Sequence, residues 1–344
     1  MSAGDPPRPS LRYLAKLTDD NGVVEHALYE GPRREYGYCT DDAGRLLALA
    51  SRMAEDRNAE RLAHVALGFL ERAHVGGGNF HLRQRGDGSW TSDSPSDDAA
   101  ARALLGLGTA AARAPWLDVR RGALTLFTQA ADFETVHLRA IAYAALGAAE
   151  LLRVQPGHAG AQRLLERATA LVQDSGRDES WPWPESRLTY DNAIIPEASL
   201  EVAIIQHDAV RAREALAQLR WLVERQRREG HFSFTPTGGA DAATVAPLFD
   251  QQPIEAWSLA SACTRAFTLT HDYRWAQAVE GAAAWFLGAN DVGVALFDAG
   301  TGGCYDGLEA TGVNLNEGAE SAMALVATML FRHEVHTPTL VGLA

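Results

Sequence analysis

Apolar residues recur along this chain at three- and four-residue spacing, in blocks that come in pairs. The spacing predicts amphipathic helices. The first block, AGRLLALASRMAE, places Leu46, Leu49, Ala50 and Met53 on one face. Its partner over 59–73 carries Leu62, Val65, Ala66 and Phe69, and the glycines at 76–78 break it. The pattern then repeats. AAARALLGLGTAAAR is followed by a helix over 116–129, HLRAIAYAALGAAELL by one over 159–174, and the small-residue block from Asp191 by one over 208–227. IEAWSLASACTRAF is followed by a helix over 273–287, and AESAMALVATMLFR ends the series. Ahead of these the pattern predicts a frayed Pro-rich start over 1–10, a short helix over 11–17, a turn at Asp19–Gly22 and a loop over 23–36. Runs alternating in Val, Ile and Thr, which would argue for sheet, are scarce.

The repeating unit is a polar loop rich in glycine and aromatics, an acidic helix start, a small-residue helix and an amphipathic helix returning. The acidic starts are Asp41, Asp97, Glu134, Asp191, Asp250 and Glu317. Their uneven spacing does not suit an open solenoid of fixed period. A closed ring suits it: an all-α (α/α)6 toroid of helical hairpins, Ala-rich helices inside, long loops at one mouth, in a single domain over 1–344. A superhelical array of helix pairs is the alternative. Capping accounts for most of the acidic starts. It does not account for the doubled acids Asp41-Asp42 and Asp97-Asp98, for Glu255 and Glu320 inside small-residue helices, or for the aromatics of the same loops.

Composition narrows the function by exclusion. The formal net charge is −13 over 344 residues, with no basic stripe, which argues against nucleic acid as a partner. Cys39, Cys263 and Cys304 form no CxxC pair, and an odd number argues against a disulfide framework. The N-terminal MSAGDPPRPSLRYL has no apolar core of signal-peptide length and no stretch approaches the length of a membrane span, so no membrane partner is expected and a cytoplasmic location is. No metal-ligand cluster, phosphate loop or GxSxG is present, and no cofactor or metal is expected.

The densest stretch is ESWPWPESRLTYDNAIIPEASLEVA. Pro182 and Pro184 forbid helix around Trp181 and Trp183, and Glu185, Tyr190, Asp191 and Asn192 follow before a helix begins. Aromatic faces beside carboxylates suit pyranoses, whose C–H faces are apolar and whose hydroxyls donate. A buried aromatic plug with Asp191 as a cap is the structural alternative. Glycoside chemistry needs a protonated and an ionised carboxyl group. Asp42, Asp98 and Asp191 are the acid/base candidates. Tyr38, Asp41, Trp181, Trp183, Glu185, Tyr190, Asn192, Asp250, Gln251, Asp306 and Glu320 are the candidates for binding substrate, with Arg45 and Arg102 orienting the acids.

Several stretches together resemble a bacterial family of α-toroid domains that occur alone or fused behind glycosyltransferases. They are EHALYEGPRREYGYCTDDAGRLLALA, SDDAAARALLGLG, WPWPESRLTYDNAIIPEA, DQQPIEAWSLASAC and WFLGANDVGVALFDAGTGGCYDGLEATGVNLNEGAESAMAL. The resemblance implies the six-hairpin glycosidase-like fold, carbohydrate as substrate and a glycosyltransferase as possible partner. Ala43 stands where the family has Asn, and alanines at 99–101 replace a polar–Gly pair; both departures imply altered specificity or lost activity.

Four readings follow. The first is a glycoside hydrolase-like enzyme acting on an oligosaccharide. The second is a non-catalytic glycan-binding scaffold, which requires every mouth acid to be paired or capping. The third is a sugar epimerase, which requires His26, His137 and His231 to converge. The fourth, prenyl-diphosphate chemistry, requires a cationic rim.

Overall fold

The computed structural model describes residues 6–91, 96–169 and 180–337. The first half of the Pro-rich start and the end of the helix expected over 159–174 lie outside them. Six helices form the inner ring: α2 (Thr40–Arg52), α4 (Asp97–Arg113), α6 (Leu138–Val154), α8 (Ile194–Gln206), α10 (Pro253–Thr270) and α12 (Ala319–His336). Each packs on the next, and α12 returns to α2, so the ring closes. Outside it lie α3 (Ala59–Ala73), α5 (Leu117–Ala130), α7 (Ala159–Arg167), α9 (Ala209–Arg225) and α11 (Tyr273–Phe286), each against the inner helix that precedes it. The short α1 (Arg12–Leu17) takes the sixth outer place, against α12. This is the (α/α)6 toroid, and its closure removes the ends that a superhelical array would expose.

Composition explains the layering. The inner helices α2, α4 and α6 are buried almost all round and filled with Ala and Gly. Small residues let backbones approach. A Cβ on Gly108 would stand 2.1 Å from the carbonyl oxygen of Gly147, and one on Gly44 2.4 Å from that of Arg102. The outer helices bury one stripe each and expose the other.

Short strand pairs decorate the loops. The stretch expected as loop over 23–36 contains a hairpin of β1 (Ala27–Leu28) and β2 (Gly31–Pro32), because the turn at Tyr29 adopts positive φ. β3 (Tyr38–Cys39) pairs with β6 (Arg83–Gln84), β4 (His74–Gly76) with β5 (Asn79–Phe80), and β7 (Arg227–Arg228) with β8 (His231–Phe232). β9 (Gly307–Glu309) pairs with β10 (Gly312–Asn314).

The expected acidic caps are a correction. Ser96 caps α4, and α6 begins after His137, with Glu134 instead bonded to Arg167. No side chain of the N-cap residue caps α2, α8, α10 or α12. Asp41 and Asp42 sit within the first turn of α2 and face inward. Asp191 lies at φ 47°, in the left-handed region that Asp tolerates, and turns the chain into α8. The three cysteines are free and buried. Among the described residues no helix is long and apolar enough to cross a membrane, and no group of three or more His, Cys, Asp or Glu is arranged to hold a metal ion.

Candidate functional site

The helix starts of α2, α4 and α12 and the segments before β9 and α10 enclose a cavity of about 470 Å³ at the mouth of the ring. Seven carboxylates line it (Glu25, Asp41, Asp42, Asp250, Asp306, Glu309 and Glu320), with three guanidiniums, Arg45, Arg83 and Arg102. Helix N-termini carry partial positive charge, which supports ionised acids there.

The floor is an ion-pair network. Arg45 reaches Asp42 at 2.8 Å and Glu320 at 2.6 Å. Arg102 reaches Asp41 at 3.3 Å and Asp191 at 3.7 Å, and its Nη2 donates to the Tyr143 hydroxyl at 2.7 Å. Tyr143 in turn donates to Asp191. Glu25 holds Arg83 through two bonds of 2.7 and 2.9 Å. Asp306 accepts from the Gly318 amide at 2.7 Å and from Ser321 at 2.8 Å, and so supplies from a distance the cap that α12 lacks at its own N-cap.

Burial and nearby guanidiniums shift the two neighbouring acids in opposite directions. Asp42 is 2% exposed, and burial lifts its pKa to about 7; Arg45 opposes the shift, while Glu25, Glu320 and Asp41 add to it. Burial also pushes Asp41 upward, but Arg102 and Arg45 outweigh it and hold the group below the usual carboxylate range. Environments that push two carboxyl groups in opposite directions are how acid and base roles are separated in acid/base sites. Asp191 is raised by burial against Arg102 and Tyr143, and Glu255 is raised to about 7 by burial and by Asp191.

The expected site residues divide into groups. Asp41, Asp42, Asp250, Asp306 and Glu320 line the mouth cavity together. Asp191 lies one layer below, behind Arg102. Asn192 is buried, bonded to Glu255 at 3.0 Å and to Arg139 at 3.0 Å. Arg139 also binds Glu185 at 2.8 Å and stacks over Tyr190, whose hydroxyl bonds Asp98. Asp98, Glu185 and Tyr190 thus form a separate polar cluster beside the mouth. Gln251 is fully buried, bonding Asp291 at 2.7 Å and the Phe234 amide at 3.1 Å.

The aromatics are placed differently from the expectation. Trp183 is buried and stacks on Trp221 of α9; Trp181 meets the same ring edge-on and donates its Nε1 proton to the Glu185 carbonyl at 2.8 Å. Tyr38 is buried against Phe69, its hydroxyl on Asp19. None of the three lines the mouth cavity, and among the described residues its lining holds no Trp, Tyr or Phe. The extended Pro-bracketed segment runs over the outer layer, where Gln218 of α9 fastens the Pro182 carbonyl. Of the three histidines, only His26 lines the cavity; His137 is exposed near Asp97, and His231 binds Asp291 at 3.0 Å.

Sequence reasoning missed three features. Tyr143, Arg139 and Glu309 carried no motif, and only their place on an inner helix or a loop bridge marks them. A second cavity of about 70 Å³ lies along the ring axis under Arg45 and Arg102, walled by Trp257 and Phe331 among aliphatic residues. A second ionic cluster closes the far end. There Glu150 binds Arg52 at 2.7 Å, Arg113 at 2.8 Å and Arg265 at 2.9 Å, and Arg265 binds Glu197 and Glu201, each at 2.8 Å.

No protein-family profile matches the sequence, and no curated protein sequence matches it. Solved structures do match the fold. A sugar epimerase from a ruminal bacterium superposes with a TM-score of 0.69 at 12% identity, over 93% of this chain and 95% of that one. A cellobiose 2-epimerase from Bacillus thermoamylovorans gives 0.69 at 13%, over 94% and 96%. The GH76 α-mannanase of Bacteroides thetaiotaomicron gives 0.62 at 10%, over 95% and 94%. At these identities the likeness carries the fold alone, the (α/α)6 toroid of helical hairpins.

Proposed function

We propose that this protein is a single-domain carbohydrate-active enzyme that takes an oligosaccharide into the mouth cavity and cleaves a glycosidic bond hydrolytically. One observation carries the reading: a single cavity at the mouth gathers Asp42, buried at its floor, with Asp41, Asp250 and Glu309, and burial raises Asp42 while Arg102 and Arg45 lower its neighbour Asp41. In the reaction Asp42 gives its proton to the glycosidic oxygen as the bond to the anomeric carbon breaks. Asp250 or Glu309, both lining the cavity, takes a proton from the water that adds to that carbon. One water is consumed and the acid is restored by proton exchange. Asp191 acts through Arg102, holding the guanidinium that keeps Asp41 charged. That the structural neighbours include sugar epimerases and glycoside hydrolases supports a saccharide substrate.

A second reading has its own observation. Asp41, Asp42, Glu25 and Glu320 are all paired with arginines, as a glycan-binding scaffold serving a glycosyltransferase would have them. An epimerase on this frame would have to move its proton with a carboxylate or with His26 alone, since His137 and His231 stand outside the cavity. The test is calorimetric titration against gluco-, manno- and galacto-oligosaccharides with product analysis. Hydrolysis abolished by Asp42→Asn supports the enzyme. Binding without turnover favours the scaffold. An epimerised product of unchanged length transfers the reading to epimerase, and no binding across the panel refutes a saccharide site.

A further inference from the structure

The outer layer carries a charge pattern that the mouth does not explain. In a chain of net charge −13, residues 209–228 hold six arginines against two glutamates. Three of the six are committed. Arg211 pairs with Asp208 at 3.7 Å, Arg225 donates to the carbonyls of Asp241 and Thr244, and Arg228 donates to that of Ala246. The other three, Arg213, Arg220 and Arg227, are exposed, and among the described residues none of them makes a hydrogen bond or an ion pair. These three stand in a row. Seven residues are close to two turns, so Arg213 and Arg220 share a face of α9 about 10.5 Å apart, and Arg227 continues the interval just past the helix end. The expectation of no basic stripe fails on this face; the acidity of the whole chain hides it.

A groove lies beside the row. It has a volume of about 220 Å³, with Arg220 and Arg227 contributed from the α9 side and Arg274 from α11, over a floor of the buried Val223 and Trp275. Arg220 lies over the Trp275 ring at 6.0 Å and Arg227 over the Phe232 ring at 5.5 Å. A ring beneath a guanidinium restrains it, so less side-chain freedom is lost when a carboxylate arrives. Of the acids lining the groove, Asp272 is held by Arg274 at 2.7 Å, and Glu224 is the one without an ion pair among the described residues. The face is thus left with uncommitted positive charge in excess.

We infer that this face docks an acidic helix of a partner protein, one that presents carboxylates at seven-residue spacing. Charge and period select this occupant. Guanidiniums take carboxylates through two parallel bonds. A facing helix with one acid every seven residues repeats at about the same 10.5 Å as the row. A trough between two helices is also where the ridge of a third one seats. Nucleic acid would bring densely spaced phosphates to a protein of net charge −13 that offers them three free guanidiniums, and an anionic membrane calls for a larger basic cluster. The inference is independent of the reading of the mouth.

The probe is a fluorescein-labelled, alanine-based helical peptide of three heptads with one glutamate per heptad, together with its counterpart carrying glutamine at those positions. Affinity is read by fluorescence anisotropy at low and at high salt. The proteins are wild type, the stripe variant (Arg213→Glu, Arg220→Glu and Arg227→Glu together) and a control variant (Arg8→Glu, Arg57→Glu and Arg121→Glu together). The control reverses three exposed arginines that also lack hydrogen bonds and ion pairs among the described residues but lie off this face, so the two variants share one net charge. The glutamate peptide should bind wild type. Its affinity should fall about ten-fold or more in the stripe variant, at high salt, and on changing to the glutamine peptide, while the control variant stays close to wild type. The comparison of the two peptides needs no variant to fold. Absence of binding to wild type overturns the inference. So does an equal loss in the two variants, which would report net charge alone, or equal binding of the two peptides. A single-stranded oligonucleotide, alginate or phosphatidylglycerol vesicles that bind wild type more tightly than the peptide, and lose that binding in the stripe variant, would also overturn it, because the face would then serve a different polyanion.

Discussion

Replacing Asp42 by asparagine tests the electrostatics of the site directly. In the unfolded chain Asp42 loses its proton near its ordinary pKa of 3.8, whereas in the folded protein it keeps it to about 7. Below pH 3.8 the group is neutral in both states and costs nothing. From there to pH 7 the unfolded state is favoured by about 1.4 kcal/mol per pH unit, and above 7 the cost is constant at about 4 kcal/mol. The cause is burial: a carboxylate with 2% exposure is desolvated, and Arg45 divides its charge between Asp42 and Glu320. Asp42→Asn keeps the shape and removes the ionisation. Urea denaturation of both proteins at pH 5 and pH 8.5 should therefore show the variant gaining about 3 kcal/mol on wild type between the two pH values. Glu255, raised in the same way, contributes equally to both proteins and cancels in the difference. The same substitution should abolish turnover at every pH. A stability difference independent of pH would mean that Asp42 is ionised in the folded protein throughout, and it could not then be the acid.

Three further outcomes follow from the packing. Glu150→Gln removes the one carboxylate that faces Arg52, Arg113 and Arg265, and should cost about 3–5 kcal/mol at pH 7 in chemical denaturation. Burial pushes Glu150 up, but those arginines hold it well below its ordinary value, so its contribution is fully present above pH 4.5 and the gap between variant and wild type should start to narrow below pH 4.5 and close only as pH falls through the much lower folded value. Gly108→Ala brings a methyl to 2.1 Å from the Gly147 carbonyl and forces α4 from α6; a loss of about 1–3 kcal/mol in melting experiments is expected, against little change at the open Gly157. Trp183→Ala should lower stability by about 3–5 kcal/mol yet leave saccharide affinity unchanged in calorimetry, because its ring packs on Trp221 outside both cavities.

Much of the ring is legible in the sequence by itself. Apolar spacing marks the helix pairs, since a helix must bury one stripe whatever surrounds it, and Ala and Gly mark the helices that approach closely. The doubled acids Asp41-Asp42 and the acids Asp250, Asp306 and Glu320 were identifiable because polar groups at helix starts and in glycine-rich loops converge once the ring closes. Tertiary structure decided the rest. Whether an aromatic faces a cavity or a neighbouring helix depends on which layer its segment crosses, and local sequence does not encode that; so Trp181 and Trp183 lie on α9 while Trp257, unremarkable inside α10, lines the axis. Protonation was likewise beyond the sequence. Asp41 and Asp42 are identical in type and adjacent in the chain, yet Arg102 and Arg45 pull one pKa down and burial pushes the other up, because a pKa follows from desolvation and from charges that only the fold brings within reach.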